Sequence, residues 1–346
     1  MAPRVGSGAP ATKLARPARV ATAIMATATL FATSACGLLD GSAGQEESSG
    51  DGGNGVVEQE VIRLGLLPVV DVASVHIAIE DGFFEEEGVE IELTSIQGAA
   101  AAMPGLEAGE LDIVFGNWVS IFAAHSALGN IKLVADSYYA LPNTWMVMTT
   151  PDSGLTQPED LMGRTIGVTS QGSLAEVTIK SVLRANDLDP DNVSFVEMGY
   201  PDMAAALDSG QVDAALMAEP FITNAELEIG AVPVFDAASG PTEEIPIAGF
   251  AAKDEWAAEN PQTVAAFQRA FSRGQEVASS DRERVEQMVQ EYASIEPETA
   301  SLLNLGGWPT TLEASRLQRI PNLMLEYELI DEPIEAESMI LSQPRN

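Results

Sequence analysis

The sequence predicts an α/β protein built as two similar units, each a mostly parallel sheet flanked by helices, with a helical C-terminal extension on the first. The main observation is an internal repeat. Sliding the chain by 101 places sets Leu106 on Leu207, Gly109 on Gly210 and Asp112 on Asp213, with Glu107 meeting Asp208 and Leu111 meeting Val212. The same ungapped shift puts Gly98 on Gly199 and covers residues 91–120 against 192–221, the signature of a duplicated supersecondary unit. In each copy an alanine-rich helix stops at a glycine free to take the left-handed cap conformation. A short apolar run bounded by turn residues follows, as expected for a strand buried on both faces. Across the chain, strand-like and helix-like segments alternate at the spacing of βαβ units, and 346 residues suffice for two cores.

In chain order, a basic region containing Arg4, Lys13, Arg16 and Arg19 precedes an apolar stretch from Val20 to Ala35. That stretch is too short for a comfortable membrane span and reads as an export signal over residues 1–35. It ends at Thr33-Ser34-Ala35-Cys36-Gly37, which resembles a bacterial lipobox; Cys36, the sole cysteine, would be the acylated residue. Thr33 stands where that pattern prefers leucine, so simple cleavage after Ala35 and secretion is the alternative. Residues 36–60, rich in Gly, Ser, Glu and Asp, bury too little to offset ordering entropy and read as a tether. Strands are expected at Val61–Leu67, Glu90–Ile96, Asp112–Phe115, Ile131–Ala135 and Trp145–Thr149. Helices are expected at His76–Glu80, with Asp71 or Ser74 as cap, and at Ala99–Ala108. The second unit opens with a connecting turn and short helix, Leu155–Arg164. Strands at Thr165–Thr169, Val193–Glu197, Asp213–Met217 and Val232–Phe235 then alternate with helices. Ile245–Ala252 reads as a return strand into the first unit, followed by helices to Leu341 that brace it.

Composition bounds the partners. Removing residues 1–35 moves the net charge from −35 to −39, which argues against nucleic acid and against anionic lipid as an electrostatic partner. A solubilising acidic surface accounts for it. One cysteine excludes an intramolecular disulfide and any cysteine-cluster metal site. No cofactor is expected.

The order strand, helix, Asp-Gly-Phe-Phe-Glu-Glu-Glu-Gly-Val, strand, Gln-Gly, then Leu-Glu-Ala-Gly-Glu-Leu-Asp-Ile-Val resembles the periplasmic-type substrate-binding proteins of ABC importers. Within them it is similar to the nitrate, sulfonate and taurine family, which also holds binders of thiamine-pyrimidine precursors. Met-Ala-Glu-Pro-Phe at 217–221 resembles that family's second-domain motif, and the likeness runs from about Val61 to Asp254. It implies a two-lobed periplasmic binding protein fold, type II-like. Lobe 1 would span 61–150 and 245–346, and lobe 2 151–244. It also implies a small-molecule ligand, a permease partner, an extracytoplasmic location anchored through Cys36, and a monomer.

Candidate ligand-binding residues follow from position. The family's loops after the first strand of each lobe correspond to Val69–Ser74, with Asp71 and Ser74, and to Ser170–Ser173, with Gln171, Gly172 and Ser173. Gln97, Gly98, Asn117, Trp118, Tyr138 and Tyr139 would line the first lobe, and Tyr200 and Glu219 the second, with Glu219 the foremost candidate. Each has a structural alternative: Asp71 and Ser173 as helix caps, Trp118 as core, His76 and His125 as packing residues on helix faces. Asp112 and Asp213 sit at the strand edge away from the cleft and read as scaffold. None of the thirteen basic residues after Cys36 falls at a cleft position, so a polyanion would lack a cationic partner. Asp71 and Glu219 instead favour an amine-bearing ligand, a taurine-like aminosulfonate or a nitrogen heterocycle such as an aminopyrimidine. The rival readings are an enzyme on the same fold and a sensory or adhesive surface lipoprotein. Against the first stand the missing Gly-x-Ser-x-Gly elbow and phosphate-binding loop and the presence of only two histidines.

Overall fold

The computed structural model describes residues 56–342; the export signal, Cys36 and the tether as far as residue 55 lie outside the described residues. Ten strands form two sheets. They are β1 (Val61–Leu66), β2 (Glu90–Ser95), β3 (Ile113–Asn117), β4 (Ile131–Tyr139), β5 (Trp145–Thr149), β6 (Thr165–Val168), β7 (Ser194–Glu197), β8 (Ala214–Ala218), β9 (Val232–Asp236) and β10 (Pro246–Lys253). Helices of the first unit are α1 (Ala73–Glu80), α2 (Phe83–Glu86), α3 (Ala99–Ala108) and α4 (Trp118–Leu128). Those of the second are α5 (Leu174–Ala185), α6 (Tyr200–Asp208) and α7 (Phe221–Ile229). The C-terminal part adds α8 (Asp254–Glu259), α9 (Pro261–Ser280), α10 (Arg282–Ala293), α11 (Pro297–Leu302), α12 (Ala314–Leu317), α13 (Arg319–Glu326) and α14 (Ala336–Met339).

The strand orders are β2-β1-β3-β10-β4 and β7-β6-β8-β5-β9, the same arrangement in both lobes. Each sheet is mixed, four strands running the same way and one against them. The three βαβ strands are parallel, while β10 runs antiparallel to β3 and β4, and β5 antiparallel to β8 and β9. The repeat translates directly: shifting β3 by 101 residues gives β8. Asp112 and Asp213 are scaffold in both copies. Asp112 accepts the backbone N–H of Arg63 at 2.8 Å and pairs with its guanidinium, and Asp213 does the same for Thr165 N–H, at 2.8 Å, and Arg164. Each ties the start of a βα strand to the edge strand's neighbour, far from the ligand edge.

Several expected boundaries shift, for reasons that lie outside local sequence. Trp145–Thr149, expected to finish lobe 1, belongs to the second sheet, so the chain crosses between sheets at 140–144 and returns at 237–245. A strand's sheet is set by non-local pairing, which periodicity does not report. The strand from Ile131 runs on to Tyr139, placing both tyrosines within it. Residues 155–164 hold one 3-10 turn, at Pro158–Leu161, in place of the short helix. Ordered structure begins before residue 61. Glu58 accepts the Gln262 and Thr263 N–H groups at the start of α9, and Gln59 bonds Thr263, Asp112 and Trp256. An acidic side chain satisfying free N–H groups at a helix start is a favourable cap.

The core of lobe 1 is aromatic. Phe250 of β10 meets Phe267 and Phe271 of α9 edge-on at 5.5 and 5.0 Å, geometry favoured by the ring quadrupoles. Trp118, the first residue of α4, is fully buried beneath the same sheet. A Cβ on Gly249 would lie 2.1 Å from its ring, so β10 must be glycine there. The C-terminal helices do more than brace lobe 1: Arg319 of α13 donates to the Glu243 and Glu244 carbonyls in the return crossing, and Arg184 of α5 lies over the Tyr327 ring at 4.2 Å.

The two repeated acids differ in burial: the Asp112 side chain is 1% exposed and that of Asp213 37%. Asp112→Ala strips partners from a backbone N–H and a guanidinium, and is expected to cost about 2–3 kcal/mol. Asp213→Ala should cost under about 1 kcal/mol, because water replaces much of what is lost. Urea unfolding of both variants measures the difference; equal losses would contradict this account.

Candidate ligand-binding cleft

The carboxyl ends of β1, β3, β6 and β8 face one another across the two lobes, the edge where open α/β sheets take ligands. Between them lies a narrow cleft with about 480 Å³ of empty space, open solvent included. From lobe 1 it is lined by Leu67, Val69, Asp71, Gln97, Gly98, Ala99, Phe115, Gly116, Asn117, Ile247 and Ala248. Lobe 2 contributes Trp145, Thr169, Ala175, Tyr200 and Ala218. A neighbouring recess of about 650 Å³ shares Gln97, Gly98, Ala99, Asn117 and Thr169 and adds Ser170, Glu197, Met198 and Gly199. Neither Lys nor Arg lines either one. The residues opening α3 and α6, Ala99 and Tyr200, lie on the wall, so helix N-termini from both lobes border the space.

Asp71 sits in a single 3-10 turn between β1 and α1. Its residue is 5% exposed, and no cation pairs with it. Burial pushes its carboxyl up to about 7, only partly opposed by its own backbone N–H. It does not cap α1, whose N-cap is Val72 with no side-chain bond. Tyr200 is buried and stacks on Phe221 at 5.2 Å, which fixes the plane of its ring. Trp145, at the start of β5, is anchored by its indole N–H to Thr178 Oγ1 at 3.0 Å. Together with Phe115 these give the cavity flat apolar walls beside one buried carboxylate.

Asn117 ends β3 and caps α4, its Oδ1 accepting Ser120 N–H at 2.9 Å; the same oxygen accepts Leu174 N–H from lobe 2 at 3.4 Å. The remaining predicted residues lie behind or beside the wall. Trp118 is in the lobe 1 core, and Ser74 and Ser173 are buried with hydroxyls that find no partner. Ser173 stands at the N-cap of α5 without making a cap bond. Tyr138 is buried, its hydroxyl accepting Gly306 N–H, and Arg316 sits over the Tyr139 ring. Gln171 donates to the Phe195 carbonyl, and Gly172 N–H to Glu176. Glu219 is 2% exposed, one residue beyond the cavity-lining Ala218. Its carboxylate accepts from Thr223 N–H and Oγ1 and from Asn304 N–H and Nδ2. Burial raises its pKa against those four donors.

Sequence reasoning missed Phe115, Trp145, Thr169, Ile247 and Ala248. The last two come from the return strand, which reaches the cleft only because β10 inserts beside β3 with Ala248 opposite Asn117. Trp145 carried a legible signal, an aromatic opening a strand, but was assigned to the wrong lobe. His76 stacks on Tyr292 at 4.1 Å and burial pushes it down to about 4, so it is a neutral packing group near neutrality. A larger cavity of about 900 Å³ is lined by Asp136, Gln268, Gln275 and residues 309–313, all of lobe 1. Lobe closure does not shape it, and its wall carries the Asp136–Arg316 ion pair.

Comparison with known proteins agrees with this geometry. The nitrate import ATP-binding protein of Synechocystis is 23% identical over 254 residues, covering 68% of this chain but only 37% of that longer protein. Among solved structures, the alkanesulfonate-binding protein from Xanthomonas axonopodis pv. citri, bound to MOPS, superposes with a TM-score of 0.70 at 16% identity, over 82% of this chain and 99% of that one. The periplasmic nitrate-binding protein from Synechocystis gives a TM-score of 0.70 at 14% identity, over 82% and 85%. At such identities the structures speak to fold alone. The family described as NMT1/THI5 like matches residues 70–284, most of the described residues and residues on both walls of the cleft. With its two mixed sheets closing on a shared cavity, the chain belongs to that family and has the fold of the periplasmic-type binding proteins.

Proposed function

We propose that this protein captures a small amine-bearing organic solute between its lobes outside the cell and presents it to an ABC permease, tethered to the membrane through acylated Cys36. The observation that carries the ligand class is Asp71: a buried carboxylate on the cavity wall with no cationic partner. A buried charge without a counter-charge is costly, and an ammonium or amidine-like N–H edge of the ligand would offset that cost. Flat walls at Phe115, Trp145 and Tyr200 suit a planar ring. A nitrogen heterocycle of the aminopyrimidine type is therefore the favoured occupant. A taurine-like aminosulfonate is the second, its sulfonate turned toward the helix N-termini at Gly98 and Gly199. Nitrate and simple alkanesulfonates are anions without an amine, and the missing basic lining residues weigh against them here, whereas the MOPS bound to one structural neighbour joins a sulfonate to an amine. The function is capture and release without chemical change. Ligand contact with both lobes favours the closed state by its differential affinity.

Titration calorimetry with an aminopyrimidine, taurine, methanesulfonate and nitrate tests the class. The first two are expected to bind, and Asp71→Asn to weaken them at least about ten-fold, the loss of one charged hydrogen bond. Tight binding of nitrate alone, unaffected by Asp71→Asn, would refute the reading. Binding of a ligand that stays cationic across the range should also tighten as pH rises toward 7, because it requires the ionised carboxylate.

A second test needs no ligand. With its folded pKa raised to about 7, Asp71 holds a proton between about pH 4 and 7 that the unfolded chain has released. The folded state thus binds more protons, and this group's contribution to stability falls as pH rises through that window. Asp71→Asn removes the slope, so the parent's stability relative to the variant should decline by up to about 4 kcal/mol from pH 4 to 7. Urea unfolding across pH measures it; parallel curves would show that Asp71 is solvated.

A further inference from the structure

Several polar ties join the lobes outside the cavity lining, and the one at Glu219 is built unlike an ordinary surface contact. Glu219 follows β8 of lobe 2. Its backbone carbonyl accepts Val70 N–H, from the loop after β1, at 3.1 Å. Its carboxylate is held from both sides. Thr223 N–H and Oγ1 donate from lobe 2 at 3.1 and 3.0 Å; Asn304 N–H and Nδ2 donate at 3.0 and 3.2 Å.

Asn304 itself is fastened to lobe 1. The Leu303 carbonyl accepts from Arg282 of α10 at 2.8 Å, and Gly306 N–H donates to the Tyr138 hydroxyl. Gly307 exchanges two backbone bonds of 3.0 Å with Tyr139 on the edge of the first sheet. A Cβ at Gly307 would lie 2.0 Å from the Tyr139 ring, so the segment's backbone packs directly against that ring. The Thr223 bonds persist whether the cleft is open or shut, since they lie within one lobe. The Asn304 and Val70 bonds exist only when it is shut.

We propose that Glu219 and Asn304 form a closure latch, positioning residues that set how much of the ligand-free protein is closed without touching the ligand. The inference rests on the closing-cleft reading but not on any ligand identity. Parting the lobes hands half of the Glu219 acceptor capacity to water, and shutting them returns it to Asn304. Apparent affinity scales with the fraction already competent to bind, so weakening the latch weakens every ligand alike. Glu219, the foremost candidate ligand contact from sequence, would then act on affinity through geometry.

The test uses the full chain with Cys36→Ser and spin labels at Glu110→Cys and Gln211→Cys, two exposed positions on the outer ends of the lobes. Interlobe distance distributions are recorded without ligand. The parent should show a closed population. Asn304→Asp, which sets two carboxylates face to face, and Glu219→Gln, which turns an amide toward donors, should each shift it to longer distances. Asn304→Ala, the mildest change, should shift it partway. The double variant Glu219→Gln/Asn304→Asp lets the new amide donate to the new carboxylate and should recover part of the closed population, the backbone N–H of residue 304 still facing the amide. For whichever solute the parent binds, the Asn304→Asp loss should be about ten-fold and should recover in part in the double variant. A parent with no closed population, single variants that fold with unchanged distances, or a double variant with summed losses would each overturn the latch. If distances respond as expected while none of the amine-bearing solutes binds, the latch stands and the ligand assignment falls.

Discussion

The architecture depends on how two strands enter sheets they do not follow in sequence. β5 slots between β8 and β9, and β10 between β3 and β4, each antiparallel to its neighbours. Because they run backwards, both begin at the carboxyl edge of the sheet they join, Trp145 opposite Ala218 and Ala248 opposite Asn117. The two crossings therefore emerge at the cleft itself. A ligand held there lies beside the two crossings, and Trp145 and Ile247 are both cavity wall and residues at the start of the strands that follow them.

The same antiparallel insertion explains what sequence could and could not reveal. The repeated βαβ unit was legible because its determinants are local: an alanine-rich helix, a left-handed glycine and an acid that caps the neighbouring strand. Even the Arg63–Asp112 pair has its counterpart 101 residues on, at Arg164–Asp213. The sheet to which β5 belongs depends on partners 67 or more residues away, which sequence order does not report. Asp71, Gln97, Gly98, Asn117 and Tyr200 were reachable because each follows a strand end or a helix start. Phe115 and Ile247 were not, because strand alternation alone does not say which end of a strand will face another lobe.

Burial separates two carboxylates that sequence treated alike. Asp71 and Glu219 are both nearly inaccessible. Glu219 has four donors and Asp71 little beyond its own backbone. A satisfied buried carboxylate contributes to structure, whereas an unsatisfied one on a cavity wall is a cost the protein carries until something fills the cavity. The distribution of hydrogen-bond partners, not acidity or position in sequence, divides the two roles.

The places where the repeats differ then acquire a common meaning. Asn117 ends the central strand of lobe 1 and reaches Leu174 N–H of lobe 2. Its counterpart by the 101-residue shift is Ala218, which has no polar side chain, and the reach passes to the next residue, Glu219, which meets Asn304 of lobe 1. Each lobe thus extends one acceptor from the tip of its central strand to donors on the other. The two differ in charge because their donors differ: two backbone N–H groups at helix starts suit a neutral amide oxygen, while four donors converging on a buried point suit a carboxylate. Duplication supplied two equivalent strand tips, and the non-equivalent segments facing them, α5 on one side and the 303–307 strap on the other, determine which acceptor each tip can hold without leaving charge or donors unpaired.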